Sequence, residues 1–408
     1  MARSSADSAG SPADQPDDQL PDASRSFTTA GLFAGIGGLE LGLHQAGGKT
    51  QLLCESWEPA QAVLRERFPG VPLANDVRTL SVLPEVDVVA AGFPCTDLSQ
   101  AGRTAGIRGD QSGLVEHLFR LLGTASPRWV VIENVRNMLV LDRGHAMDYL
   151  VGELERLGYR WAYRLVDSRF AGVPQRRQRV IMVASKTEDP AAVLFGEDIG
   201  EPDQSMYRDD AYGFYWTEGL RGLGWAADAV PTLKGGSTIG IASPPAMWIR
   251  DAEPGKAIVT PGIHAAELLQ GFEADWTLPA VSVAKRVGVR WKLIGNAVTV
   301  GVSAWLGRRL TNPGKVVGEA SRLSPGGSWP TAAHGSKGHR WAVPASMWPE
   351  QCTYKHLLEV VDLKEATPLS RRATEGFHSR MERSGLRFDE GFKLAVKQHL
   401  EVVRASHE

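Results

Sequence analysis

Cysteine is scarce in this chain: Cys54, Cys95 and Cys352 stand far apart among 408 residues. Thiols so separated make no disulfide framework and no metal-ligand spacing. Neither a cross-linked secreted scaffold nor a bound metal is expected, and a reducing cytoplasm is the simpler setting. No apolar run reaches the roughly 18 residues that a membrane span requires, and the N-terminus lacks the basic-then-apolar order of a secretory signal. An excess of one charge is also missing, with 45 Lys and Arg against 47 Asp and Glu and a formal net charge of -2. A polyanionic partner would therefore have to be met by local clusters. Arg160, Arg164, Arg169, Arg176, Arg177 and Arg179 crowd one stretch against the single acid Asp167, and Lys285, Arg286, Arg290 and Lys292 form a second cluster. Large apolar side chains are nearly absent from residues 1–26. That stretch cannot bury enough surface to offset the entropy of ordering, so a disordered leader is expected there.

What is present is the composition of a globular protein, 43% hydrophobic and 23% charged, long enough for two domains or one large domain with additions. From Phe27 a short apolar run opens into Gly35-Ile36-Gly37-Gly38, and Leu39, Leu41 and Leu43 follow in a helical stretch. Strand, glycine turn and helix then repeat in outline: a strand over Gln51 to Glu55, a helix over Pro59 to Phe68, and strands over Val86 to Ala91 and Trp129 to Glu133. This alternation predicts an α/β fold with a parallel sheet covered on both faces and ligands at the carboxyl ends of its strands. After a strand over Arg179 to Ala184 the order is lost. Residues 186–262 carry Gly, Pro, Ser and Thr with scattered Trp216, Trp225 and Trp248, which predicts a smaller irregular domain held by a few aromatic anchors. Alternation resumes with a helix over His264 to Gln270 and the stretch from Val283 to Leu310. The expected divisions are a leader (1–26), a catalytic domain in two parts (27–185 and 263–310), a small inserted domain (186–262), and a C-terminal extension (311–408) of no legible role.

The glycine turn at Gly35, Gly37 and Gly38 lets backbone approach a ligand beside a helix N-terminus; an ordinary tight turn or a dinucleotide site would read similarly. Glu55, at a strand end, suits ribose hydroxyls, Trp57 an adenine face, and Asp76 an adenine amino group. Gly92-Phe93-Pro94-Cys95-Thr96-Asp97-Leu98-Ser99 is more informative. Its cysteine follows Pro94 at a strand end, inside a polar loop where a thiol is exposed, though a catalytic thiol needs positive charge or a helix N-terminus to ionise. The loop from Thr96 to Gly113 carries Gly102, Gly106 and Gly109 for mobility and Arg103 and Arg108 for phosphates. Glu133-Asn134-Val135 ends an apolar strand, where a carboxylate suits the polar edge of a base. Gln175-Arg176-Arg177-Gln178-Arg179 would place alternate arginines on one side of an extended chain. Pro231 to Thr238, with Lys234, Gly235 and Ser237, is either a surface turn or a candidate for close contact with a nucleic-acid groove.

In order and spacing these segments resemble the cytosine-5 DNA methyltransferase family. Phe33-Ala34-Gly35-Ile36-Gly37-Gly38 is similar to its first motif, Pro94-Cys95 to its catalytic loop, Glu133-Asn134-Val135 to its sixth motif and Gln175 to Arg179 to its eighth. Glu267 to Phe272 is similar to the ninth, and Gly295-Asn296-Ala297-Val298 to the tenth. Thr96 stands where many members carry Gln, and the spacing leaves the ribose acid as Glu55 or a near neighbour. The resemblance implies a Rossmann-like S-adenosylmethionine-dependent domain with a small target-recognition domain between the eighth and ninth motifs. It implies methyl transfer to carbon 5 of a flipped-out cytosine in a specific double-stranded DNA sequence, with Cys95 as nucleophile and Glu133, Arg177 and Arg179 completing the catalytic set. Phe33, Gly35 and Asn296 would lie near the methionine part of the cofactor and Glu55, Trp57 and Asp76 near its adenosine, with Gly37, Gly38, Pro94 and Val298 completing the cofactor site. Ser99, Arg103, Arg108, Lys234, Gly235 and Ser237 would touch DNA. The implied protein is a monomer near the nucleoid, either an orphan methylase or paired with a restriction endonuclease of the same site. An RNA methyltransferase, an inactive DNA-binding regulator and a nicotinamide dehydrogenase are the rivals, and the last is disfavoured because it explains the glycine turn alone.

Overall fold

The computed structural model describes residues 26–94, 113–216, 222–235, 244–284, 288–324 and 326–405. Strand β1 (Phe27–Leu32) leads through the glycine turn into α1 (Gly38–Gln45), followed by β2 (Gly48–Cys54), α2 (Glu58–Arg67), β3 (Leu73–Ala74), β4 (Val88–Ala91), α3 (Leu114–Thr124), β5 (Trp129–Val135) and α4 (His145–Arg156). Next come β6 (Arg160–Asp167), β7 (Gln175–Arg176), β8 (Gln178–Ser185) and the short α5 (Pro190–Leu194). Strands β1 to β5 pair in parallel. The apolar runs of β4 and of β5 up to Ile132 are buried throughout, as central strands covered on both faces must be. Leu118 and Leu122 of α3 and Leu150 of α4 cover one face. Leu39 and Leu43 of α1 cover the other, joined by Trp305 and Leu306 from near the closing end of the domain. This is a Rossmann-like sheet.

The sheet is not wholly parallel, which corrects the expectation from the alternation. β8 runs antiparallel to β5, and β6 antiparallel to β8. The segment between β6 and β8 is too short for the crossover helix that parallel pairing needs, so the chain turns back as a hairpin. β6 also dismantles the first basic cluster. Arg164 is fully buried, donates to the carbonyls of Leu194, Glu197 and Ser346, and pairs with Asp198 at 2.9 Å. Arg169 is held by Asp167 at 3.0 Å. These arginines fasten loops to the sheet and offer no surface to a polyanion.

A second sheet follows. It contains β9 (Ala211–Trp216), β10 (Leu223–Ala227), β12 (Ala246–Ile249) and β13 (Ile258–Thr260), while β11 (Val230–Pro231) pairs with β7. Helices α6 (Ile263–Leu268), α7 (Pro279–Ala284), α8 (Gly288–Asn296) and α9 (Val300–Thr311) return to the large domain. In the C-terminal stretch, β14 (Ser321–Arg322), β15 (Ala332–Ser336) and β16 (His339–Ala342) extend the large sheet beyond β6, where β15 pairs antiparallel. Then α10 (Leu357–Val360), β17 (Thr367–Pro368), α11 (Arg371–Arg383) and α12 (Glu390–Ala405) join the second sheet, whose order is β10-β9-β12-β13-β17. Three expectations change accordingly. The inserted segment contains a sheet, not loops on aromatic anchors. Its first part belongs to the large domain, because Val193, Leu194 and Phe195 share a core with Val183 and Trp305. Residues 311–408 are not one appendage but two segments completing two different sheets.

Candidate active site

Three residues in five turn the chain from β1 into α1 through positive φ: Phe33 at 57°, Gly35 at 57° and Gly37 at 83°. A Cβ on Gly37 would lie 2.3 Å from the Phe68 ring and one on Gly38 2.5 Å from the Val298 carbonyl, so both glycines are required by close packing. Gly35 differs, since a Cβ there would meet nothing within 4 Å. The turn is thus open at Gly35, beside the carboxyl end of β1. Phe33 has no such excuse for left-handed backbone, which costs a side-chain-bearing residue about 1–2 kcal/mol and is typical of ligand sites.

Glu55, just past β2, holds this turn: its carboxylate accepts from the Gly35 amide at 2.8 Å and the Trp57 amide at 2.7 Å. Burial pushes its pKa up, against those hydrogen bonds. With the Ser56 amide also bonded, one lone pair of the carboxylate stays open to a hydroxyl donor. The Lys292 ammonium lies 4.6 Å from the centre of the Trp57 ring, on one face of it. Asp76 is bound by the Arg78 guanidinium at 2.6 Å, which holds its carboxyl below the usual range.

On the other side of the β1 edge, Glu133 at the carboxyl end of β5 pairs with Arg179 of β8, Oε1 to Nε 2.9 Å, both side chains about nine-tenths buried. The loss of water outweighs this pairing, so the Glu133 carboxyl lies above the ordinary range and the Arg179 pKa below. Asn134 donates to the carbonyl of Phe93 at 3.1 Å, tying β5 to the Gly92-Phe93-Pro94 segment. A Cβ on Gly92 would sit 3.7 Å from Glu133 Oε2. Cys95, Ser99, Arg103, Arg108 and Ser237 lie outside the described residues, as do Lys285 and Arg286. The chain reaches Pro94, however, already alongside Glu133. Of the other thiols, Cys54 is buried and pushed up to about 12, and half-buried Cys352 to about 11, chiefly by desolvation.

Arg177 does not join this pair. It is 1% exposed and donates to the carbonyls of Leu233, Gly295 and Ala297 at 3.1, 3.1 and 2.6 Å. Its expected catalytic place is corrected to that of a clamp: Arg177 lies in the break between β7 and β8, so the alternation that would align it with Arg179 does not carry across. Gln175 donates to the carbonyl of Leu269 and accepts from the Leu233 amide, and Gln270 donates to the carbonyl of Ile294. The segments around 175, 233, 270 and 295 are thus one buried network. Lys234 and Gly235 are packed against Gly295 and Asn296, where a Cβ on Gly235 would meet Asn296 Oδ1 at 2.3 Å. Pro231 and Leu233 are buried, so the stretch is no free surface turn.

Beside Arg179 a cleft of about 340 Å³ opens between the two sheets, lined among others by Arg136, Arg176, Tyr215, Trp225 and Thr232. It is large enough for a nucleobase. Arg136 and Tyr215 escaped the sequence reading. The position of Arg136 directly after Glu133-Asn134-Val135 was a usable signal, whereas Tyr215 reaches the cleft only through the second sheet.

Residues 27–211 match the C-5 cytosine-specific DNA methylases. Over 364 residues the chain is 48% identical to the type II methyltransferase M2.BsuMI of Bacillus subtilis (strain 168), covering 86% of this chain and 92% of that protein. It is 25% identical over 318 residues to the type II methyltransferase M.MspI of Moraxella sp, covering 73% of each. A solved structure of the Entamoeba histolytica methyltransferase EhMeth shares the fold with a TM-score of 0.50 at 15% identity, covering 70% of this chain and 98% of that one.

Proposed function

This chain belongs to the C-5 cytosine-specific DNA methylases and is a DNA cytosine-5-methyltransferase, and from that premise we propose that it methylates a flipped-out cytosine in one duplex sequence through a covalent bond from Cys95. The observation that carries this reading is the buried Glu133–Arg179 pair at the carboxyl edge of the sheet, beside the strand end that leads into Pro94-Cys95.

Carbon 5 of cytosine is too weak a nucleophile to take a methyl group unaided. In the proposed path the Cys95 thiolate adds at carbon 6, and its electron pair moves density towards carbon 5 and nitrogen 3. The raised Glu133 carboxyl can carry a proton to nitrogen 3 and accept from the exocyclic amine, while Arg179 donates to the oxygen on carbon 2. Bound S-adenosylmethionine supplies the electrophilic methyl. Carbon 5 takes it, releasing S-adenosylhomocysteine; it then loses its proton to water as the sulfur–carbon 6 bond breaks, nitrogen 3 returns its proton to Glu133 and the thiolate is restored. Extracting the base from the stack costs a few kcal/mol, which contacts of the 95–112 loop and the second sheet must offset.

The open side of Gly35, the Glu55 carboxylate, Trp57 and Asp76 suit the cofactor as donors, acceptors and a stacking face. Asp76→Ala is expected to weaken S-adenosylmethionine binding about tenfold, the loss of one charge-assisted hydrogen bond. Arg78→Ala, which frees the carboxylate, should not weaken it. Calorimetry with cofactor alone decides, and unchanged affinity in Asp76→Ala removes that residue from the site.

Target choice is proposed to lie in the second sheet and its hairpins, in a chain acting as a monomer in the cytoplasm near the nucleoid. A restriction endonuclease of the same specificity is the expected partner if the chain works as its type II relatives are named. Sequencing methylated cytosines in DNA from cells expressing the protein tests the function: one sequence context should be marked. Exchanging residues 208–262 and 357–405 together for those of a relative with another target should move the mark. An active chimera that keeps the original context would place recognition elsewhere.

A further inference from the structure

Beyond the inserted segment itself, the second sheet is built in part from the far end of the chain. β17 pairs with β13 through Thr260 and Thr367. Phe377 and Met381 of α11 and Phe392 and Val396 of α12 share one buried core with Phe214, Trp216 and Trp248. The Phe377 ring lies 4.8 Å from that of Phe214 and 5.3 Å from that of Trp216, and Phe388 lies 6.4 Å from Trp216. Trp216 is the last residue of β9. Tyr215, its neighbour on the opposite face, lines the cleft beside Arg179 together with Trp225 of β10. Helix α11 therefore backs the very strands whose front borders the cleft.

α11 is amphipathic in charge as well as in hydrophobicity. Thr374, Phe377 and Met381 form its buried side. Arg372, Ser379, Arg380 and Arg383 are exposed and share an arc of about 100°, and exposed Arg387 follows in the next loop. No acid lies on that arc. Glu375 sits on the flank, bound by Arg371 at 3.2 Å and Arg404 at 3.1 Å, and Glu382 on the same flank faces Lys397 of α12. Among the described residues, Arg372, Arg380, Arg383 and Arg387 pair with no carboxylate. In a chain of net charge -2, three such cations on one side of a helix and a fourth in the loop after it are a concentrated feature.

We propose that this arginine face of α11 binds backbone phosphates of duplex DNA flanking the target, so that the C-terminal segment 357–405 is a working part of the DNA-recognition unit. The proposal rests on the function proposed above. Duplex DNA carries a charge about every 1.7 Å along its axis and continues on both sides of the target base. At the end of β9, Trp216 packs on Phe377 of α11 while its neighbour Tyr215 borders the cleft, so α11 belongs to the unit past which the flanking duplex extends. Arginine without a carboxylate partner is the group that releases counterions on binding, and such contacts set position and affinity, not sequence.

The test is the full-length triple variant Arg372→Gln, Arg380→Gln, Arg383→Gln, with the matching Arg→Lys triple as charge-preserving control. Dissociation constants for a target duplex and an unrelated duplex are measured from low to moderate salt. In the Gln variant the slope of log affinity against log salt should shrink by about one for each phosphate that is no longer neutralised. Both duplexes should weaken alike, while methyl transfer at saturating DNA stays within about twofold of the parent. The Lys variant should keep the parental slope. A Gln variant with parental slope and affinity overturns the proposal, and so does weakening confined to the target duplex. A parent that binds duplex but methylates none of it would instead overturn the function reading, with the slope comparison still deciding the role of α11.

Discussion

DNA carrying 5-fluorocytosine at the target is expected to stay joined to the protein through Cys95 after denaturation, and only when S-adenosylmethionine is supplied. Addition of the thiolate and methyl transfer can both proceed on the fluorinated ring. Fluorine cannot leave as a cation, so the elimination that should free the sulfur is blocked. Without the methyl donor, addition reverses and no adduct survives. Cys95→Ser should abolish the adduct and lower methyl transfer by about six orders of magnitude, as loss of a nucleophile does elsewhere. Cys54→Ser and Cys352→Ser should leave both intact. Cys54 is buried and Cys352 half-buried, and pKa values pushed to about 12 and about 11 leave only a trace of thiolate near neutral pH. Mass spectrometry of the cross-linked peptide decides: attachment at another cysteine, or no adduct with DNA that is methylated in unfluorinated form, refutes the assignment of Cys95.

Glu133 should show the second large effect, and it separates chemistry from stability. Glu133→Ala removes the group proposed to meet nitrogen 3 and also leaves the Arg179 guanidinium buried without its partner. We expect turnover to fall by roughly 10²- to 10³-fold and stability by about 3–5 kcal/mol, the usual cost of breaking a buried pair from one side. Glu133→Gln keeps the shape and an acceptor for Arg179 but cannot pass a proton, so turnover should fall nearly as far with a smaller loss of stability. The pH dependence has a definite sign. Burial raises the Glu133 carboxyl in the folded state. Its contribution to stability is therefore complete below the ordinary glutamate pKa and declines as pH rises through the raised folded value. The Gln variant lacks that decline. Denaturant titrations across this range test it, and a parent and a Gln variant with parallel stability profiles would show that Glu133 is not shifted. Turnover of Glu133→Gln equal to the parent would remove it from the chemistry.

The extent to which the site could be read from residues alone follows from the reach of each pattern. The glycine turn, the apolar runs of β4 and β5, and Glu133 and Pro94 at strand ends were all legible, because strand, turn and helix periodicity depends on neighbours in the chain. The placement of Glu55 against the Gly35 amide adds detail to an acid already singled out. The arginines misled. Arg164 and Arg177 look like surface charges in a basic stretch, yet both are buried and spend their donors mainly on carbonyls supplied from 30 to 182 positions away. A charge reads as exposed until its distant partners are known.

The order of residues was thus enough to specify the α/β class, the motifs at the strand ends and the family to which they point, since each is a local arrangement that the backbone enforces within a few residues. The reversed direction of β6 and β8, the five-stranded second sheet and the recruitment of residues 357–405 into it were decided only when the chain closed on itself. β13 finds its partner β17 at Thr260 and Thr367, 107 residues apart, because pairing there satisfies backbone hydrogen bonds of both and brings Leu369 and the helices after it onto the core of Phe214 and Trp248. Strands of two to six residues carry too little periodicity to announce such pairings. What selects them is the free energy of burying one shared apolar core, a quantity that belongs to the assembled fold and to no single stretch of sequence.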